Sequence, residues 1–395
     1  MGSFFILEGM MGFNDRMDEV TAYSLSFIEK SICFNCIADD YLAEIIKSNA
    51  IQKKCSYCLS RGNKNIACDY KLVVQKIYDR IFLSYKDAQD TGMPFVEGSW
   101  LIDQDYIQDV ISNFDPGWNA EFVEDLCDSA DPNLYLVSHA HDDWIGVRES
   151  DVLSYGWQGF KEQILYKTRY LFLTQKSEGH DDFYSIPLTS MLDRLGDLSN
   201  RLDLIREIPQ DSYFYRVRAH KEGQEFTEFE EIGVAPKRLA GAGRMNPAGI
   251  PYFYIAFMSD TAKLEVIDDQ KYWSLAKLKL LNNIQVLDLT ELPPVPSIFD
   301  IPQHSLREEI LFLYEFVEDL LKPVAKDGKE HIDYVPTQVV SEYFRYVFEP
   351  KLQGIMYPSV KHSGGVNIAF FESDNDEIQK IFNLEEIIEC ENTES

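Results

Sequence analysis

The sequence predicts an α+β protein in two parts, a helical, cysteine-bearing N-terminal domain followed by a β-rich domain with interspersed helices. Three observations carry this. Residues 1 to about 205 show apolar spacings of helical period, as in YLAEIIKSNAI and YKLVVQKIYDRIFLSY. From Tyr213 the texture changes to short β-type runs, YFYRVRAH, YFYIAF, IQVLDL and VNIAFF, separated by Gly and Pro clusters. A polar stretch, LGDLSNRLDLIREIPQD, lies between and sets the boundary near residue 210. The expected divisions are therefore 1–209, 210–375 and an acidic tail over 376–395, the tail ending as a short, solvated helix.

The chain has 395 residues, enough for two or three domains, each able to bury a core. Its 66 acidic and 37 basic side chains give a net charge of -29. Such a surface repels phosphate backbones and anionic lipid, which argues against general nucleic-acid or membrane-surface binding. A phosphorylated small molecule in a local basic pocket stays compatible with it. No run of eighteen apolar residues occurs, and the opening MGSFFILEGMMGF lacks a basic n-region and a small-residue cleavage site. The expectation is a soluble, cytoplasmic protein.

In the helical part, four of the seven cysteines form two Cys-x-x-Cys pairs, CFNC and CSYC, eighteen residues apart. Cys33, Cys36, Cys55 and Cys58 thus have the spacing of a closed four-thiolate zinc site, structural rather than chemical because no coordination position stays open. Cys68, Cys127 and Cys390 stand alone and read as ordinary thiols. Further on, LYLVSHAHDDWIG looks like the metal-binding turn of the metallo-β-lactamase superfamily, but Trp144 stands where that turn needs a histidine. His139, His141 and Asp143 are accordingly read as a capping or solvent-facing cluster.

The β-rich part concentrates the polar chemistry. In YFYRVRAH the alternation puts Arg216 and Arg218 on one face of a strand, where two cations suit an anion. In GAGRMNPAGIPYFYIAF, Arg244 stands on a loop stiffened by Pro247 and Pro251, with Gly241 and Gly243 read as supplying unusual backbone angles. Such an arginine loses little freedom on gripping phosphate or carboxylate. Tyr254 follows on a strand, and Glu265 on a helix with Ser259 or Asp260 as its N-cap. Ser359 sits in YPSV, ahead of a Gly-Gly turn and an apolar strand.

Taken in order, YRVR, GAGRMNPAGIPYFYIA, TAKLEV and GIMYPSVKHSGGVNIAFF resemble the RES domain family, named for its Arg, Glu and Ser, over roughly residues 210 to 375. Carried over, the family's arginines fall on Arg216 and Arg244, its tyrosine on Tyr254, its glutamate on Glu265 and its serine on Ser359. The N-terminal half, with its cysteine pairs and the run WQGFKEQILYKTRYLF, is similar to the HEPN-like region ahead of longer RES proteins. That half carries no Arg and His pair at the spacing of HEPN ribonucleases, which disfavours ribonuclease activity.

The resemblance implies an ADP-ribosyltransferase-like fold and an NAD+-degrading toxin or defence enzyme that cleaves the nicotinamide–ribose bond, as glycohydrolase or phosphorylase. Its implied catalytic set is Glu265, Tyr254 and Arg244, and its NAD+-binding set Arg216, Arg244, Tyr254 and Ser359, with structural zinc beside them. An antitoxin or regulatory partner is implied too, and the oligomeric state stays open. A transferase acting on a macromolecule and a non-catalytic NAD-binding regulator are the competing expectations.

Overall fold

The computed structural model describes residues 25–96, 99–100, 103–114, 117–138, 149–169, 188–267, 271–322 and 330–391. His139, His141 and Asp143 lie outside them. By contacts the chain divides into two units, Met1–Arg148 with Val295–Arg307, and Glu149–Pro294 with Glu308–Ser395.

In the first unit, β1 (Ser31–Cys33) precedes α1 (Asp40–Ser48), which Asp39 caps by accepting from Leu42 N. β2 (Ala67–Asp69) pairs antiparallel with β1 and leads into α2 (Tyr70–Ser84), capped in turn by the Asp69 side chain. Val73, Val74, Ile77 and Ile81 repeat at helical spacing and are fully buried. β3 (Tyr85–Asp87) follows, then a hairpin of β4 (Phe95–Val96) and β5 (Ser99–Trp100), and β6 (Asp105–Tyr106). Next come α3 (Ile107–Phe114), α4 (Ala120–Asp128) and β7 (Tyr135–Ser138), the last lying between β3 and β6 in a small antiparallel sheet. Phe299, from residues 295–307, closes this core against Trp118 and Phe114.

The second unit opens with α5 (Glu149–Glu162), continued by a π-helical turn over Gln163–Lys167, and α6 (Leu188–Arg201). β8 (Ile205–Ile208), β9 (Tyr213–His220), α7 (Phe229–Ile232), β10 (Phe253–Ala256) and α8 (Ser259–Val266) follow. Then come β11 (Tyr272–Leu280), β12 (Ile284–Asp288), α9 (His304–Leu321), α10 (Glu330–Asp333) and α11 (Val335–Tyr346). The chain ends with β13 (Gly354–Pro358), β14 (Val366–Phe370), α12 (Asn375–Gln379) and β15 (Phe382–Glu391). Eight strands form one sheet in the order β15-β11-β9-β10-β14-β13-β12-β8, antiparallel at every pairing but β12 with β13.

One face of this sheet packs Ile355, Tyr357 and Ala369 against α5, α6, α9 and α11. The other face carries Phe214, Phe253, Ile255, Ile368 and Phe370. An α+β fold is thus present, and two expectations change within it. The texture boundary near 210 is not where compactness divides the chain, because α5 and α6 bury Trp157, Phe160, Leu195 and Leu198 in the core of the sheet. The acidic end is no solvated helix either: β15 pairs along the whole of β11, and Phe382 is only 1 % exposed. Its apolar residues on the strand period outweigh its charge once an unpaired sheet edge is on offer. Among the described residues no helix is long and apolar enough to cross a membrane.

Candidate functional site

β10 and β13 both run antiparallel to β14, so their C-terminal ends meet at one edge of the sheet. α8 departs from the first of these ends and Ser359 follows the second. α8 begins at Ser259 with Met258 as its N-cap and no side-chain capping bond, so neither expected residue caps it. There Ser359 Oγ donates to Glu265 Oε1 at 2.7 Å, and Asn367 Nδ2 donates to the same oxygen at 2.8 Å. The backbone N–H groups of Lys361 and His362 in turn donate to Ser359 Oγ, at 3.2 and 3.1 Å. Glu265 is exposed while Asn367 is 6 % exposed, so a fixed amide and a fixed hydroxyl hold one oxygen of an accessible carboxylate. The Lys361 ammonium stands beside it, donating to the backbone carbonyl of Glu265 at 3.3 Å.

Arg244 and Tyr254 form a second group. Tyr254 Oη donates to Asn246 Oδ1 at 2.8 Å and accepts from Met245 N at 3.1 Å, and burial pushes its proton affinity up, so the phenol stays neutral. Asn246 Nδ2 lies 3.0 to 3.1 Å from the carbonyls of Gly241, Pro247 and Ile250. From α11, Gln338 Nε2 donates to the carbonyls of Gly243 and Asn246, and Thr337 Oγ1 to that of Arg244. The loop is therefore rigid, though not through the glycine angles expected. Its positive φ belongs to Gly249 at 86°, whereas Gly243 is needed because a Cβ there would come within 2.8 Å of Tyr254 Oη. Arg244 Nη1 donates to the carbonyls of Leu320, at 2.5 Å, and Lys322, at 3.1 Å, a cation at the C-terminal end of α9. Its guanidinium also lies over the Tyr334 ring, 5.7 Å from the centroid.

Tyr357 lies between the two groups. It is 8 % exposed, and burial first, then the neighbouring Tyr254 and Glu265, raise its pKa well above the ordinary phenol value. Arg244 lines a cleft of about 720 Å³ with residues of α5, the π-turn, α9 and α11, and Glu265 is not among its walls. A smaller cleft of about 440 Å³ shares Gln158, Asp319 and Lys322 with it and reaches Val360, the neighbour of Ser359. The two clefts adjoin at these shared residues.

Arg216 is placed elsewhere. Alternation along β9 sets it with Phe214 and Arg218, on the face opposite Tyr254, Tyr357 and Asn367. Its Nε donates to Ile232 O and its Nη1 to Tyr254 O, both at 2.7 Å, its Nη2 to Gly233 O at 3.2 Å, and its guanidinium stacks 4.8 Å from the Phe253 centroid. Burial and neighbouring Arg218 lower its proton affinity to about 10. Arg218 Nη1 likewise donates to Glu231 O at 2.7 Å. Expected to share an anion, both arginines instead tie β9 to the backbone of α7.

Sequence reasoning passed over Asn367, Tyr357, Asn246 and Gln338. A lone amide in the apolar strand VNIAFF was the one signal that could have marked Asn367, since a buried amide needs partners.

In the first unit, the four sulfurs of Cys33, Cys36, Cys55 and Cys58 all lie within 4.8 Å of one another. The separations are 3.8 Å for Cys33 and Cys36, 3.5 Å for Cys33 and Cys58, and 3.7 Å for Cys36 and Cys55. Four thiolates about 2.3 Å from a tetrahedral ion stand about 3.8 Å apart, so the cluster can hold a metal. Burial pushes the Cys33 thiol up to about 11, and Cys36 higher, a cost that a central cation reverses.

Residues 213–390 match the RES domain, and residues 48–178 match HEPN/RES N-terminal domain 1. No curated protein and no solved structure matches the chain. RES domains are NAD+-related toxin domains, and a general NAD+-processing role comes with the match. The two matched regions, in this order, give the chain a RES domain over residues 213–390 with a HEPN/RES N-terminal domain ahead of it.

Proposed function

We propose that this protein degrades NAD+ in the cytoplasm by cleaving the bond between nicotinamide and ribose, as a toxin or defence effector. The single observation that carries the reading is Glu265, an exposed residue whose carboxylate has one oxygen fixed by Ser359 and Asn367. When the C1′–N bond breaks, its electron pair leaves with nicotinamide and positive charge develops on the ribose. A preorganised carboxylate stabilises that charge and holds the ribose hydroxyls without reorganising. Water, or phosphate, then adds at C1′, and the proton it loses passes to the Glu265 carboxylate and on to solvent. Arg244 takes the pyrophosphate with Nη2 and Nε, while Tyr254 positions the Arg244 loop through Asn246. Arg216 has no part in this grip and serves as a brace for β9.

The test is NAD+ turnover by purified protein beside Glu265→Gln and Arg244→Ala, with products separated by chromatography and phosphate varied. Free nicotinamide from the wild type, with a rate at least about a hundredfold lower in Glu265→Gln, is expected on the scale of a lost electrostatic stabiliser. The second product names the acceptor: ADP-ribose for water, a phosphorylated ADP-ribose for phosphate. NAD+ surviving under every condition sinks the proposal.

The four cysteines would hold Zn2+ as a structural ion, and a partner protein, an antitoxin or a regulator, would restrain the enzyme. Metal analysis is expected to return about one zinc per chain, as a closed four-cysteine site requires. Removal by chelator is expected to unfold the first unit, and a chain free of zinc that keeps its helical signal argues against the reading.

A further inference from the structure

The cleft beside Arg244 has walls from two matched regions. Tyr334, Pro336, Thr337 and Arg244 come from the RES match, whereas Tyr155, Gln158, Lys161 and Tyr166 come from residues ahead of it. All belong to the second compact unit. The upstream wall is built in an unusual way. α5 is continued by a π-helical turn, and such a turn inserts a residue and rotates the side chains that follow. Ile164 stays buried while Tyr166 stands out, 73 % exposed, with Tyr155 64 % exposed one face along. Large exposed tyrosines on a concave wall have no part in holding the fold.

The charges of the cleft narrow what it takes. Lys161 pairs with Asp319 at 2.5 Å and Glu162 with Lys167 at 2.8 Å, so these four largely cancel. Arg244 and the exposed Lys322 remain, against the single carboxylate of Asp333 in the same lining, and Nη2 and Nε of Arg244 carry no bond among the described residues. Two cations next to three aromatic faces suit a nucleobase joined to a phosphate. At about 720 Å³ the space is of the size of small-molecule sites, and the smaller cleft adjoins it.

We propose that residues 155–166, upstream of the RES match, complete the substrate site as its adenylate subsite, with Tyr155, Tyr166 and Tyr334 stacking on the adenine and Arg244 and Lys322 holding its phosphate. This rests on the NAD+ reading for the identity of the whole substrate, and it adds that the RES region alone lacks part of its binding surface.

The test uses the full chain carrying Glu265→Gln, which holds chemistry back, and measures binding of AMP and of nicotinamide mononucleotide by calorimetry. Tyr166→Ala and Tyr155→Ala, at exposed positions that leave folding intact by circular dichroism, are compared with their parent. We expect AMP binding to weaken about tenfold in Tyr166→Ala, the scale of one lost base stack, while nicotinamide mononucleotide binding is unmoved. In the active chain the loss is expected in KM for NAD+ and not in kcat. AMP that binds equally well to both variants, or that does not bind the parent, overturns the proposal. NAD+ cleavage by the wild type is scored separately. Tyr166-dependent AMP binding without any cleavage would sink the enzyme and keep the subsite.

Discussion

Asn246 is 3 % exposed and joins four groups, three carbonyls of its own loop and the hydroxyl of Tyr254. Replacing it with Ala removes four hydrogen bonds that fix the loop, each contributing about 0.5–1.5 kcal/mol, and we expect a net loss of about 3 kcal/mol. Denaturant titration of Asn246→Ala measures it, and an unchanged midpoint would mean that the loop is held by Gln338 and Thr337 alone. At this scale the sequence was partly legible. Arg244, Tyr254, Glu265 and Ser359 stand in short motifs with a local signature, and their elements, a loop, a strand, a helix and a turn, match the sequence pattern. The register that puts Arg216 on the far face was not legible, since it depends on how β9 meets β10 at the single pairing of Tyr215 with Ala256. Nor was the role of Gly243, which is a matter of what comes close to it rather than of its own dihedrals.

Among the elements, β15 most changes what a truncation should do. A solvated acidic tail could be removed at no cost. As a strand it covers all nine residues of β11, and Phe382 packs its ring against Phe214 and Phe370 at 5.7 and 5.2 Å. His220 Nε2 also meets Glu389 Oε2 at 2.8 Å, tying β9 to the edge strand across β11. Ending the chain after Ile381 would bare the backbone of a long apolar strand, which is a template for aggregation. We expect such a chain to be recovered largely as aggregate, and a soluble monomer with an unchanged melting temperature would show that β11 tolerates exposure. The strand was hard to read because five of its ten residues are Glu or Asn and a bulge interrupts their alternation, and charge on an edge strand looks locally the same as charge on a tail. Helices such as α2, whose apolar residues repeat over four turns, carried their own signal and were read correctly.

For the whole molecule, the compact units dictate where the chain can be cut. A fragment beginning near residue 210 keeps seven of the eight strands but loses β8, α5 and α6, and with them Leu153, Trp157, Phe160, Ile164, Met191, Leu192, Leu195 and Leu198. Each such side chain contributes about 1.5–3 kcal/mol on burial, and the eight together, about 12–24 kcal/mol, are as large as the about 5–15 kcal/mol that separates a folded domain from its unfolded chain. That fragment should not fold, whatever restraint the N-terminal residues exert on activity. A fragment over 149–395 keeps this core intact but carries Val295–Arg307 without the rest of its unit. Phe299, 2 % exposed in the full chain, would lose Trp118 and Phe114 and present an aromatic surface to solvent. Phe299→Ser in the 149–395 fragment should therefore raise its soluble yield severalfold and leave its melting temperature within a few degrees of the unmodified fragment. If the 210–395 fragment melts cooperatively while the 149–395 fragment does not, α5 and α6 belong energetically with the first unit, and the division of the chain must be redrawn at the polar stretch.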